Sequence, residues 1–158
     1  MKEFTHLDEK GKLKMVDVGE KPVTQRLAVA KGEVIFPEDV YPLVKNMEVP
    51  KGDFLCCAKV AGILSAKKTW ELIPLCHPLP ISKVDVDFKF IPERYAIEIT
   101  AQVKTNAQTG VEMEALTAVS ISALTIYDMC KSLSKNIKIT NIRLVKKEGG
   151  KSGKIVLE

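Results

Sequence analysis

Three observations predict an α+β fold. Residues 84–90 and 95–104 alternate apolar and polar side chains with period two, residues 53–70 and 111–133 read as helices, and the elements run strand, helices, strand, strand, helix, strand. That order is the split β-α-β pattern (βαββαβ) of a ferredoxin-like sandwich, an antiparallel sheet with helices packed on one face. The chain has 158 residues, enough for one domain, since a chain of roughly 150 residues buries about 70% of its unfolded surface. No internal repeat or long linker divides it.

Each element has a local reason. Residues 1–22 are polar, with Gly11, Gly19 and Pro22 and no sustained period, and are expected to be a flexible leader to a single catalytic domain over 23–158. Residues 23–36 are extended in character and form the first strand. Pro37-Glu38-Asp39 opens a short helix, with proline in the first turn and acids at the positive end of the dipole, and that helix stops before Pro50. Asp53 suits the N-cap of the 53–70 helix. Gly62 within that helix permits close packing, at about 1 kcal/mol against alanine. Pro74, Pro78 and Pro80 exclude regular structure and set a stiff loop. The two alternating strands turn at Pro92-Glu93-Arg94 as a hairpin. Helix 111–133, a strand over 137–145 and a glycine-rich basic tail complete the chain.

Composition narrows the function classes. At 46% hydrophobic residues the chain is not disordered. A net charge of +4, from 24 basic and 20 acidic residues, suits an anionic small molecule and is weak support for nucleic acid. The N-terminus lacks the apolar core of a signal peptide, so a cytoplasmic location is expected. Cys56, Cys57, Cys76 and Cys130 form no Cys-x-x-Cys pair and are expected to be buried free thiols. With only His6 and His77 to join them, no metal site is expected.

From Ala115 to Tyr127 no residue is charged. A helix so apolar needs cover all round, from its own domain or a neighbouring subunit, and it is too short to span a bilayer. Its charges sit at the ends: Glu112 and Glu114 before, Asp128 and Lys131 after. The glutamates either complement the helix dipole or contact substrate beside flexible Gly110. Asp128 and Lys131 share a face as an ordinary ion pair or as a partly buried pair facing a cleft. His77, between Cys76 and Pro78, either braces the proline loop or acts as a positioned acid/base. A Cys76–His77 nucleophile dyad is disfavoured, because adjacent side chains in extended chain point apart. Lys51 precedes one helix, Lys67 and Lys68 end it, and Lys146, Lys147, Lys151 and Lys154 surround Gly149-Gly150 and Gly153, a composition suited to anions. Gly149-Gly150-Lys151-Ser152 is not a P-loop: Val145 stands where the leading glycine belongs, and no helix follows.

Several ordered blocks then carry a resemblance: Thr5-His6-Leu7-Asp8, Met15-Val16-Asp17-Val18, Ala61-Gly62 with Ala66-Lys67, Leu72 to Leu79, Gly110 to Val119, Tyr127-Asp128-Met129-Cys130-Lys131, and Gly149 to Gly153. Together they resemble the cyclic pyranopterin monophosphate synthase (MoaC) family of molybdenum cofactor biosynthesis over nearly the whole chain. Ser65, where an alanine is expected, and Glu148 in the tail depart from the pattern. The resemblance implies conversion of 3',8-cyclo-7,8-dihydro-GTP to cyclic pyranopterin monophosphate with release of pyrophosphate. It implies catalytic roles for Asp128, Lys51, Lys131, His77, Glu112 and Glu114. It further implies substrate binding by Leu75, Cys76, His77, Met113, Glu114, Lys67 and Arg26, with Lys147 and Lys151 on the triphosphate. It implies a homohexamer, a trimer of dimers with sites at subunit interfaces, and no nucleic-acid or membrane partner. No cofactor is required by the sequence, though Mg²⁺ can accompany a triphosphate. Two rivals are an RNA-binding sheet, for which strand aromatics are few, and a zinc-dependent nucleotide hydrolase using Cys76 and His77.

Overall fold

The computed structural model describes residues 4–158, so residues 1–3 of the expected leader lie outside the described residues. The elements are β1 (Thr24–Ile35), α1 (Tyr41–Lys45), α2 (Phe54–Lys67), α3 (Thr69–Leu72), β2 (Ile81–Ile91), β3 (Ala96–Ala107), α4 (Glu112–Cys130), β4 (Lys138–Glu148) and β5 (Ile155–Val156). They build one antiparallel sheet in the order β2-β3-β1-β4-β5. Its first four strands have the ferredoxin-like arrangement that the element order predicts.

The helices pack on one side of the sheet. Ala28, Ala30 and Val34 of β1 and Ile97, Ile99, Ala101 and Val103 of β3 are buried there with Ala115, Ala118, Val119, Ala123 and Ile126 of α4. Phe88 and Phe90 pack against this core too. Away from it, Lys31 pairs with Glu98 at 3.6 Å and Arg143 with Glu158 at 2.6 Å. Among the described residues, those ion pairs lie on the strand face turned away from the helices.

Asp53 caps α2 as expected, its Oδ1 accepting from the Cys56 amide at 2.9 Å. The expected 53–70 helix breaks at Lys68, whose backbone (φ −107°, ψ 9°) leaves the helical region. The Thr69 hydroxyl donates back to the Ser65 and Ala66 carbonyls at 3.0 and 3.1 Å, competing with helix continuation. Strand β4 runs through Lys146 and Lys147 to Glu148, so part of the expected tail is strand, and β5 returns beside it. Register on the ladder overrides the basic composition that suggested a loop.

The cysteine expectation needs correction. All four are free thiols, but only Cys130 is buried; Cys76 is half-buried, and Cys56 and Cys57 are exposed. Phe54, Ala58, Gly62, Ser65 and Ala66 form the inward stripe of α2. Cys56 and Cys57 fall on the other side, with Val60 and Leu64 exposed alongside them.

Contact between α2 and α4 depends on Gly62. A Cβ there would meet Ser122 Oγ, with Ala118 O at 3.1 Å and Val86 Cγ2 at 3.2 Å. Ser122 Oγ is itself held, donating to the Ala58 carbonyl at 3.0 Å. Overpacking costs about 1–3 kcal/mol, more than the roughly 1 kcal/mol alanine gains as a helix former. Gly62→Ala is therefore expected to lower the denaturant midpoint of unfolding; an unchanged or higher midpoint would show that the two helices can part freely.

Candidate active site

The N-terminal turn of α4 meets the proline loop at a cavity of about 320 Å³. Leu75, Cys76 and His77 line it from the loop, Glu112, Met113 and Glu114 from the helix, and Val16 from the N-terminal segment. Glu114 is only 4% exposed. Burial pushes its carboxyl up to about 7, against a favourable hydrogen bond from its own amide, and the Glu112 charge adds to the rise. Burial, then the Glu114 charge, raises the Cys76 thiol as well. His77 Nε2 lies 2.6 Å from the Val16 carbonyl oxygen.

A second cavity, about 740 Å³, adjoins the first: Lys21, Thr109, Gly110 and Glu112 line both. Arg26, Lys147 and Lys151 make its wall cationic. Arg26 is fixed by donating from Nε to the Ala107 carbonyl at 3.1 Å and from Nη2 to the Gln108 carbonyl at 3.3 Å. Gly150, at φ +73°, lies against that guanidinium, where a Cβ would collide with Arg26. Position 150 thus needs glycine for both its backbone and its neighbour. Lys147 projects from β4 and bonds the Glu112 carboxylate. The two cavities share a wall, with Glu114 and His77 lining the first and Arg26, Lys147 and Lys151 the second. Volumes of this size suit a small ligand.

The remaining predicted residues lie elsewhere. At the C-terminal end of α4, Asp128 Oδ1 is 2.7 Å from Lys131 Nζ and its Oδ2 is 3.6 Å from Lys51 Nζ. Lys51 also donates to the Asp128 carbonyl at 3.0 Å. Lys131 foremost, and then Lys51, hold the Asp128 carboxyl below its ordinary range. The expected partial burial of this pair is not observed: the Asp128 and Lys131 side chains are 59% and 45% exposed. The last inward positions of the helix are Ile126 and Cys130, and Asp128 falls between them on the outer side. Fourteen residues separate Glu114 from Asp128 along α4, a distance of about 21 Å at 1.5 Å per residue. Lys67, exposed at the end of α2, lines neither cavity.

Sequence reasoning assigned no site role to Val16, which it named only within a motif block, or to Lys21, Gln108 or Thr109. Val16 contributes a backbone carbonyl, which no side-chain pattern reports. Lys21 looked like one more lysine in a polar segment.

An open α+β sheet with a cleft of this volume between a helix and a stiff loop is a build found among small-molecule enzymes. The chain belongs to the MoaC family, which it matches over residues 15–150. It is 53% identical, over 158 residues and 100% and 99% of the two chains, to a cyclic pyranopterin monophosphate synthase of Desulfatibacillum aliphaticivorans. Synthases of the same name from Pelotomaculum thermopropionicum (55% over 153 residues; 97% of this chain, 90% of that one) and Chloroflexus aurantiacus (56% over 151 residues; 96% and 93%) are similarly close.

The raised Glu114 carboxyl gives a signed pH dependence. The folded state holds this proton more tightly than the unfolded chain, so the contribution of Glu114 to stability is fully present below the ordinary glutamate range and is lost as pH rises through about 7. Glu114→Gln removes the cost of burying the ion. It is expected to stabilise the fold at pH 8 by about 2–3 kcal/mol and to differ little from the parent near pH 4.5. Paired denaturation curves at the two pH values check this; equal stability changes at both would show that Glu114 does not ionise in place.

Proposed function

We propose that the chain is a cyclic pyranopterin monophosphate synthase. It converts 3',8-cyclo-7,8-dihydro-GTP to cyclic pyranopterin monophosphate and pyrophosphate in the making of molybdenum cofactor, as a cytoplasmic homohexamer built as a trimer of dimers. The observation that carries this reading is full-length similarity, above half identity, to relatives that bear that name.

The cleft suits the chemistry. Lys147 and Lys151 offer the triphosphate two point charges, and Arg26 offers the N–H groups that the Ala107 and Gln108 carbonyls do not take. Mg²⁺ enters this reading only as a companion of those phosphates. A triphosphate drawing Lys147 to itself would free Glu112. Rebuilding a purine-derived ring as a pterin needs protons given and taken near neutral pH; Glu114, poised at about 7, suits that demand, and the His77 ring lines the same cavity. In the phosphoryl step a ribose hydroxyl attacks the α-phosphorus, its proton passes to a base, and the bond to the bridging oxygen of the departing pyrophosphate breaks. Asp128, kept ionised by its two lysines, is the base, and Lys51 and Lys131 neutralise the charge that develops.

Both groups must reach one substrate, yet a proton-transfer group works within about 2.6–3.2 Å of its target. Some 21 Å of rigid helix keeps Asp128 from Glu114 in the same chain. One complete site therefore takes its Glu114–His77 end from one chain and its Lys51–Asp128–Lys131 end from another. The surface supports such pairing: Val60, Leu64, Leu72 and Leu124 are each more than half exposed, and Leu64, Leu72 and Ile121 line an apolar groove.

Incubation of the protein with the cyclic dihydro-GTP compound is expected to yield pyrophosphate and a pterin. Asp128→Asn should reduce pyrophosphate release by about 10²–10⁴-fold while leaving assembly intact. Lys51→Ala and Lys131→Ala should each cost about ten- to hundredfold or more. Mixed oligomers give a sharper test. Asp128→Asn and Glu114→Gln chains, each inactive alone, should regain activity when co-assembled, with about a quarter of the sites whole at random mixing. No recovery in verified mixed oligomers would place all the groups in one chain's site. Sedimentation at micromolar concentration is expected to show a hexamer, and a stable monomer would contradict the assembly.

A further inference from the structure

His77 has a fixed polar partner outside its own loop: the Val16 carbonyl, 2.6 Å from Nε2. A carbonyl oxygen only accepts, so Nε2 carries the proton, and in the neutral ring the lone pair then belongs to Nδ1. Val16 lies in the segment that precedes β1, where a mobile leader would give no such partner. The segment is tied on both sides of it. Upstream, Leu7 bridges Leu13, and the Lys14 amide donates to the His6 carbonyl at 2.9 Å. Downstream, the Asp17 carboxylate accepts from the Gly19 amide at 2.8 Å, and the Lys21 amide donates to the Val18 carbonyl at 3.0 Å.

These ties are internal to the segment and set its shape, not its place. Its place is set from the domain by Gln108, at the end of β3, whose Nε2 donates to the Gly19 carbonyl at 3.0 Å. The same residue's backbone carbonyl accepts from Arg26 Nη2. Gln108 thus stands where the segment, the proline loop and the cationic pocket meet.

We propose that Gln108 is a positioning residue for His77: by anchoring Gly19 it keeps the Val16 carbonyl on Nε2, and so presents Nδ1 as the ring's proton acceptor. The proposal rests on the synthase reading for its kinetic consequence, and its spectroscopic consequence stands apart from that reading.

The test uses the full chain labelled with ¹⁵N-histidine. There are two histidines, His6 and His77, and His6→Gln assigns the spectrum. In the parent, neutral His77 is expected to show a protonated Nε2 whose proton exchanges slowly with water. In Gln108→Leu, which removes the amide donor at similar size, that proton should exchange freely. Pyrophosphate release is expected to fall in kcat by about tenfold or more, with KM within about twofold, as for loss of alignment rather than of binding. A merely structural Gln108 would alter stability without moving the His77 signal or splitting kcat from KM. Should Gln108→Leu not fold, Asp17→Ala, which opens the turn at Gly19, is read by the same two measurements. A parent His77 protonated on Nδ1 overturns the proposal, as does a folded variant with the slow Nε2 proton and full kcat. A parent that shows the slow Nε2 proton but releases no pyrophosphate overturns the synthase reading and leaves the anchoring supported.

Discussion

Helix α4 lies against the sheet and against α2 at once only because two positions facing it carry no side chain. On the sheet, a Cβ at Gly32 would stand 2.7 Å from Val119 Cγ1 and 3.1 Å from Ile142 Cγ1. On the helix layer, Gly62 leaves the room that Ser122 fills. Interiors are close-packed, so a single added carbon at either place would push the helix away. The rest of the molecule takes its geometry from this seat. It aims the first turn of α4 at the proline loop and at the end of β4, and it carries Asp128 to the far end, beside Lys51.

The same chemical group therefore behaves in opposite ways at the two ends of one helix. Glu114 is withdrawn from water, beside another carboxylate, and holds its proton up to about 7. Asp128 is exposed between two ammonium groups and stays ionised. Carboxyls driven apart in this way can serve as proton donor and proton acceptor at one pH, which a reaction with several proton transfers needs.

In the cationic half of the cleft, backbone geometry does as much as charge. Two main-chain carbonyls at the end of β3 hold Arg26, and a left-handed Gly150 lets the tail turn pass over its guanidinium. Lys147 is mounted on a paired strand and so has a defined reach, whereas Lys151 sits on the exposed turn that follows.

The sequence by itself determined the fold class and most elements, because period-two alternation, the Asp53 cap, the proline loop and the charge-free helix are local features that survive in any context. It also marked His77, Glu114, Asp128 and their lysines as exceptional, since each interrupts an apolar or stiff run. Only the tertiary structure decided which of them meet. Lys51 reaches Asp128 across 77 residues, and His77 reaches Val16 across 61. Lys147 finds Glu112 because β4 extends past the point where its composition turns basic. The exposed cysteines and the exposed Asp128–Lys131 pair fall under the same rule: an apolar neighbourhood in sequence says that burial is available nearby, while the side of the helix that faces the sheet decides who receives it. Pairing between distant segments depends on register and on the packing of whole elements, and no window of local sequence encodes either.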